Sequence, residues 1–145
     1  MKMRVEMDGR PPNKRKAKSI WRGPMAKRVL NLRLAILEEK KKSGIRGPIK
    51  QRIRMMLNVY GPNIDNPKLP QTYVGDIDSL VAGICDSIRK ADHNMVRPSL
   101  AFEDHPEVGH DKPLLITDDS QVVRVAATKS ESGRDRYVLV IEAED

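Results

Sequence analysis

Residues 76–88 read DIDSLVAGICDSI, and the interpretation of the whole chain starts from this stretch. Its apolar residues recur at helical spacing, so we expect an amphipathic helix over about 77–90. Asp76 is a candidate N-cap, because its carboxylate can accept from the amides of the first turn. A second acidic cluster, DDSQ at 118–121, leads into a run of β-branched residues. We therefore expect a strand over 119–128.

The remaining elements follow from the same patterns of hydrophobic spacing. Apolar and charged residues alternate at the start of the chain, a long helical period follows, and two further β-rich runs complete the set. In the second predicted strand, Met55 and Met56 are both expected in the core. We predict one α/β domain over residues 1–145, with a mixed sheet and the order β-α-β-α-β-β. The additional predicted elements are strands at 2–8, 50–60 and 136–142, and a helix at 25–43.

The composition limits the class of protein. No apolar run approaches the roughly 20 residues that a membrane helix needs, and the opening residues lack the apolar stretch of a signal peptide. One cysteine, Cys85, excludes an internal disulfide framework and a cysteine zinc cluster. We expect a cytoplasmic protein without membrane contact, in which Cys85 is a buried small apolar residue rather than a nucleophile.

The net charge of +7 is divided very unevenly along the chain. Residues 1–54 hold 18 Lys and Arg against 4 Asp and Glu, whereas residues 55–145 hold 9 against 16. A basic half can bind a polyanion while an acidic half holds a metal ion. This division favours a polyanionic partner, with nucleic acid as the leading candidate.

A basic loop over residues 10–24 contains the single tryptophan, Trp21. Such a loop can bridge phosphates while the indole packs on sugar, base or protein. The alternative is a solvated loop with Trp21 in the core. The candidate DNA-binding residues are Arg10, Lys14, Arg15, Lys16, Lys18 and Arg22.

The two acidic clusters are candidates for one metal site. Asp76 and Asp78 lie where a loop turns into a helix, and Asp119 comes from another element. A divalent cation would activate water and offset the charge that develops when a phosphodiester is hydrolysed, and hard cations prefer carboxylate ligands. The alternative is that the first pair only caps a helix and that the second cluster is an ordinary turn.

The same residues resemble the core of the RusA-type Holliday-junction resolvases. The resemblance covers most of residues 2–142 and is most specific at 76–86 and 118–122. It implies a RusA-like fold and a homodimer that nicks symmetry-related strands of four-way DNA junctions with Mg²⁺, for which Mn²⁺ can substitute. It also implies the site residues: Asp76, Asp78 and Asp119 as catalytic metal ligands, Lys129 as a catalytic lysine, and Asp118 in a supporting role.

The chain departs from the family pattern on the predicted helix. Ser79 stands where the family usually has Asn, and Ala82 stands where many members carry a functionally important lysine. Three explanations stay open: Lys129, Arg89 or a loop residue substitutes, the metal suffices, or turnover is poor. Some phage-borne relatives share this version of the helix, so the departure is no proof of inactivity, and whether the chain is phage-encoded stays open. The rival functions are a non-catalytic nucleic-acid-binding protein on the same fold and a small structural RNA-binding protein.

A long insertion, residues 90–117, separates the predicted helix from the DDSQ strand, where family members usually have a short turn. It contains His93, His105 and His110 among acidic residues, but their spacing matches no strong metal motif. Three readings remain: ligands for a second metal, a loop that faces substrate or supports a dimer, and a plain surface loop.

Overall fold

A computed structural model describes residues 1–14, 19–69, 74–91 and 99–144. The predicted element order β-α-β-α-β-β is confirmed within one α+β domain. In the part of the chain that is described, no helix is long and apolar enough to cross a membrane. The elements are β1 Lys2–Asp8, α1 Ala26–Lys42, β2 Ile53–Gly61, α2 Ile77–Ile88, β3 Val122–Glu131 and β4 Arg136–Ala143.

The four strands form a mixed sheet in the order β1-β4-β2-β3, as predicted for the sheet type. Strand β2 pairs with β3 in parallel and with β4 in antiparallel orientation, and β1 pairs with β4 in antiparallel orientation. Because β2 and β3 are parallel neighbours joined through α2, the helix runs antiparallel to both of them. The start of α2 therefore lies at the carboxyl end of β3.

One face of the sheet is buried under the helices. Residues of β2 alternate between buried and more exposed positions along the strand. Met55 is in the core as predicted, whereas the expectation for Met56 is wrong, because its side chain is 47% exposed. Successive side chains of a strand point to opposite faces, so two adjacent methionines cannot share one core.

Part of the predicted insertion loop is packed against the domain. Short 3₁₀ helices occupy Leu100–Phe102 and Pro106–Val108. Phe102, Val108 and Leu115 are buried in the main hydrophobic cluster. The described part of the insertion thus contributes to the core, while residues 92–98, including His93, lie outside the described residues.

A buried arginine on α1 joins this segment to the rest of the fold. Arg33 is fully buried, and all its donor nitrogens reach backbone carbonyls. Nε donates to Val108 at 2.8 Å, and Nη1 donates to Ser87 at 2.7 Å and Arg89 at 2.9 Å. Nη2 donates to the carbonyls of Gly109 and Lys112 at 2.9 and 2.6 Å. One side chain therefore connects α1, the end of α2 and the insertion.

Trp21 lies in the core, as in the second of the two readings of the basic loop. Its ring centroid is 5.7 Å from that of Phe102, and the Arg33 guanidinium lies 5.0 Å from the indole centroid. The indole therefore covers the buried cation and is not exposed for stacking on a base.

Replacing Arg33 by Met is expected to lower the free energy of unfolding by at least about 3 kcal/mol, because buried carbonyls lose their donor. Lys41→Met, an exposed position on the same helix, is the matched control and should change it by less than about 0.5 kcal/mol. Urea unfolding followed by circular dichroism measures both. Equal stability of the two variants would contradict the role given to Arg33.

Candidate functional site

Asp76 and Asp78 lie together at the start of α2. Asp76 occupies the N-cap position in an extended conformation, and its carbonyl accepts from Leu80 N at 3.0 Å. Its side chain makes no capping hydrogen bond, so the residue holds the cap position without the capping contact that the sequence suggested. Both residues are exposed. The positive end of the helix dipole favours negative charge at this place.

The start of the basic loop is packed against this end of the helix. Asn13 Nδ2 donates to the Val74 carbonyl at 2.9 Å, and Lys14 N donates to the Ser79 carbonyl at 3.1 Å. Gly75, at φ +114°, leaves room for the Asn13 side chain, and Gly83 leaves room for the Pro12 carbonyl. A side chain at either glycine would push the loop away from α2.

A series of three ion pairs connects four charged side chains, from the basic loop to the residues before β3. Lys14 Nζ lies 2.7 Å from Asp86 Oδ2, and Arg89 Nη2 lies 2.9 Å from Asp86 Oδ1. Arg89 Nε in turn lies 2.9 Å from Asp119 Oδ1. The Asp86 side chain is only 9% exposed, whereas that of Asp119 is 51% exposed. Asp86 is therefore a buried anion between two cations.

The DDSQ cluster forms a short 3₁₀ helix, Asp119–Gln121, before β3. Asp118 caps it by accepting from Ser120 N at 2.8 Å, which holds the pKa of Asp118 below its usual range. Gln121 Nε2 donates to the carbonyls of Ile49 and Gln51. The strand predicted over 119–128 therefore begins only at Val122, because residues 119–121 form the turn that was the alternative reading. Gln121 docks this turn beside the start of β2.

The environment of Asp119 acts on its pKa in two directions. Desolvation raises the pKa, and the Arg89 guanidinium opposes this, while Asp86 and Asp118 raise it further. The net direction is upward. The charge of Asp119 is therefore partly compensated by Arg89.

The structure does not bring Asp119 to Asp76 and Asp78 within one chain. Asp119 contacts Arg89 at the C-terminal end of α2, and the 12 residues of this helix span about 18 Å. Across residues 1–14, 19–69, 74–91 and 99–144, no three carboxylate, imidazole or thiol side chains lie close enough to hold one metal ion. The three-carboxylate metal site remains a prediction.

Lys129 lies at the same end of α2 as the first acidic pair. Its Nζ donates to the Gly75 carbonyl at 3.2 Å and lies 2.8 Å from Asp65 Oδ1. Of the residues considered as substitutes for the lysine absent at Ala82, Lys129 is near the start of the helix and Arg89 is near its end. Asp65 was not predicted from the sequence as part of the site, because a loop rich in Pro, Asn and Gly carries no periodic signal.

The predicted DNA-binding residues have different surroundings. Arg10 Nε lies 3.1 Å from Asp135 Oδ2, and Lys14 is paired with Asp86. Arg22 is exposed, while the remaining three residues of the set lie outside the described part of the chain. Two of the expected phosphate contacts are therefore engaged in internal ion pairs. The undescribed members of the set are Arg15, Lys16 and Lys18.

The two described histidines lie in the packed part of the insertion. His105 Nδ1 is 3.6 Å from Glu107 Oε1, and the His110 carbonyl accepts from Ala91 N at 2.7 Å. His110 thus links the insertion to the residues after α2 through its backbone. A second metal at these histidines is an untested prediction.

Cys85 is half-buried on α2, and its thiol is a weak nucleophile. Desolvation raises the pKa of its thiol to about 12, with Asp119 and Asp86 adding to the effect and Arg89 opposing it. Since the thiolate is the reactive form, this environment supports a packing role rather than a nucleophilic one.

At pH 8, we expect Cys85 in the folded protein to react with iodoacetamide about 1000-fold more slowly than in the urea-unfolded chain, because reaction needs the thiolate. The ratio follows from a pKa of about 12 in the folded protein against 9.0 for a thiol in water. Mass spectrometry of the alkylated protein over time measures it. Similar rates in both states would show that Cys85 is an accessible thiol.

Asp86→Asn is expected to lower the free energy of unfolding by about 2–4 kcal/mol, since it leaves two half-buried cations, Lys14 and Arg89, without the buried anion between them. Asp119→Asn removes the outer carboxylate of the same series of ion pairs. It should lower the free energy of unfolding by about 1 kcal/mol or less, because that carboxylate is half exposed. Urea denaturation of both variants at pH 7 provides the comparison. The proposed hierarchy fails if Asp119→Asn is the more destabilising change.

The family resemblance rests on motif order and spacing alone. A scan against protein-family models gives no match, and the curated proteins include none with significant similarity.

Proposed function

We propose that the protein is a Mg²⁺-dependent endonuclease that cuts branched DNA, four-way junctions in particular, as a homodimer. The observation that carries this proposal is the grouping of Asp76, Asp78 and Lys129 at one end of α2. This is the carboxyl end of the parallel strands β2 and β3, where open α/β sheets commonly bind their ligands. The resemblance to the RusA-type resolvases adds the substrate class.

The residues at this end fit a magnesium ion in part. Mg²⁺ commonly takes one or two protein carboxylates, keeps several waters and uses substrate phosphates for the rest. Asp76 and Asp78 supply two exposed carboxylates on one short segment and would hold the ion. When bound, Mg²⁺, or Mn²⁺ in its place, would supply an activated water and offset the charge on the phosphate.

Lys129 has a positioning role in this proposal. Its ammonium holds the Gly75 carbonyl, one residue before Asp76, and is paired with Asp65. Its positive charge also reduces the repulsion between the acidic pair and an incoming phosphate. This is the contribution that the absent lysine at Ala82 would otherwise make.

The basic loop supplies phosphate contacts that fix the DNA without reading its sequence. Arg22 is exposed for such a contact, and the hydrogen bonds of Asn13 to Val74 and of Lys14 to Ser79 place the start of the loop beside the first turn of α2. Backbone contacts suit an enzyme that recognises the shape of a junction. About four such contacts, the number left when Arg10 and Lys14 are excluded, correspond to a log–log salt slope of about −3 to −4 for the affinity.

A second candidate function is a non-catalytic protein that binds branched nucleic acid. The Arg89–Asp119 ion pair favours it, because it engages the third predicted ligand away from Asp76 and Asp78. Ala82 also favours the non-catalytic candidate, since it leaves the helix without the cation usual in the family. Both candidates predict salt-sensitive junction binding, and only the first predicts cleavage.

Asp78→Asn is expected to reduce cleavage of a labelled four-way junction in Mg²⁺ at least about 100-fold, because it removes a metal ligand, while junction binding is retained. Asp104→Asn, an exposed carboxylate in the insertion, is the matched control and should cleave at the wild-type rate. Gel electrophoresis of nicked products and filter binding supply the two readouts.

Three results would count against the enzyme. Wild-type protein that binds the junction but cuts it in neither Mg²⁺ nor Mn²⁺ would favour the non-catalytic candidate. Full activity of Asp78→Asn would exclude the acidic pair as the site. Binding that does not weaken between 50 and 200 mM salt (on the order of 10²-fold for several phosphate contacts) would remove nucleic acid as the partner.

A further inference from the structure

The face of the sheet opposite the helices is basic at one end. Arg54 and Met56 lie on this face, because they alternate with the buried residues of β2. The strand register places Lys2, Glu142 and Arg124 in the same row as Arg54, across all four strands. Three cations therefore lie beside one carboxylate on an open surface.

The charges of this row are incompletely paired. Arg54 Nη2 lies 3.0 Å from Glu142 Oε1, while Arg124 and Lys2 form no ion pair within the described part of the chain. Arg124 is exposed and lies directly opposite Arg54 in the β2–β3 ladder. Like charges opposite each other destabilise a sheet. An anion bound between the two guanidinium groups would relieve this repulsion, and phosphate matches their geometry.

An apolar depression of about 240 Å³ adjoins these cations. Its apolar side chains come from the next row of the same face, in which Met56 lies between Val140 and Ala126. Met56 is 47% exposed, although methionine is normally a core residue. Its flexible thioether side chain adapts to the shape of an apolar partner. Cations beside an apolar surface suit an unpaired nucleotide, in which a phosphate adjoins an accessible base.

We propose that this end of the open sheet face binds single-stranded DNA. Arg54 and Arg124 hold a phosphate, and Met56 and Val140 contact the adjacent base. A duplex can use the cations but not the apolar surface, because the faces of its bases are stacked inside the helix. The described side chains that line the depression include no hydroxyl or amide group, so nothing in it is suited to recognising the 2′-hydroxyl of RNA.

This surface is separate from the acidic pair at the start of α2. Arg124 lies near the start of β3 and Lys129 near its end, and the five residues between them correspond to about 16 Å along the strand. The two side chains also point to opposite faces of the sheet, since they are an odd number of residues apart. The inference therefore goes beyond the proposed function and does not depend on it: a protein that acts on branched DNA would hold an unpaired strand here.

Fluorescence anisotropy with a labelled oligothymidylate in EDTA tests the phosphate contacts. The double variant Arg54→Gln/Arg124→Gln should bind at least about 10-fold more weakly, with a log–log salt slope shallower by about 1.4, for two lost contacts on a single strand. Lys41→Gln/Lys42→Gln makes the same change in net charge on α1 and should stay within about 2-fold of wild type. No binding by the wild type, or equal losses in both variants, would overturn the proposal.

The apolar contact has its own test. Met56→Ser should weaken oligothymidylate binding about 3-fold or more, because apolar contact area is lost, and leave binding of an abasic oligomer of the same length unchanged. Equal losses for both oligomers would exclude the base contact. Oligouridylate that binds more tightly than oligothymidylate would overturn the assignment to DNA.

The variants also have a fold control. Arg54→Gln/Arg124→Gln removes a like-charge pair at exposed positions, so thermal unfolding followed by circular dichroism should show no loss of stability. A loss of binding in this variant then reports on the site and not on unfolding. If the wild-type protein cuts no junction, the proposed function fails, and the binding assays in EDTA still decide whether the open face holds a single strand.

Discussion

The buried guanidinium of Arg33 is the interaction on which the rest of the structure depends. It donates hydrogen bonds to backbone carbonyls at the end of α2 and in the insertion, so these segments are fixed relative to α1. Burial lowers its pKa to about 10, with Asp111 acting in the opposite direction, and the group is still charged at neutral pH. Because Arg33 holds the carbonyl of Arg89, it also fixes the residue that joins Asp86 to Asp119.

The order of the elements was predictable because each has a local period. Strands alternate, helices repeat near every third or fourth residue, and these patterns survive in an isolated sequence. Arg33 and Lys40 were not predictable, because a charged residue on a helix is normally solvated. Lys40 Nζ instead donates to the Leu114 carbonyl at 2.5 Å, and desolvation lowers its pKa, followed by the effect of Arg33. Most of their acceptors belong to an irregular segment 74 to 79 residues away, and two acceptors of Arg33, the carbonyls of Ser87 and Arg89, lie at the end of α2.

The acidic residues differ in the same way: the places of some follow from nearby residues, and the place of another depends on contacts between residues far apart in sequence. The positions of Asp76 and Asp78 at a helix start follow from the residues around them. The position of Asp119 depends on the direction of the β2–α2–β3 crossover, which sets the start of β3 at the end of α2. Two motifs in the right order along a chain are therefore not necessarily neighbours in space.

The arrangement of β2 between β3 and β4 has a consequence for the speed of folding. Strands β3 and β4 are consecutive, yet they lie on opposite sides of β2 and do not form a hairpin. Every strand pairing therefore joins segments far apart in sequence, which slows the search for the native topology relative to a helical bundle of similar size. While that search lasts, unpaired strand edges are exposed, so the yield of native protein depends on dilution during refolding as well as on the final stability.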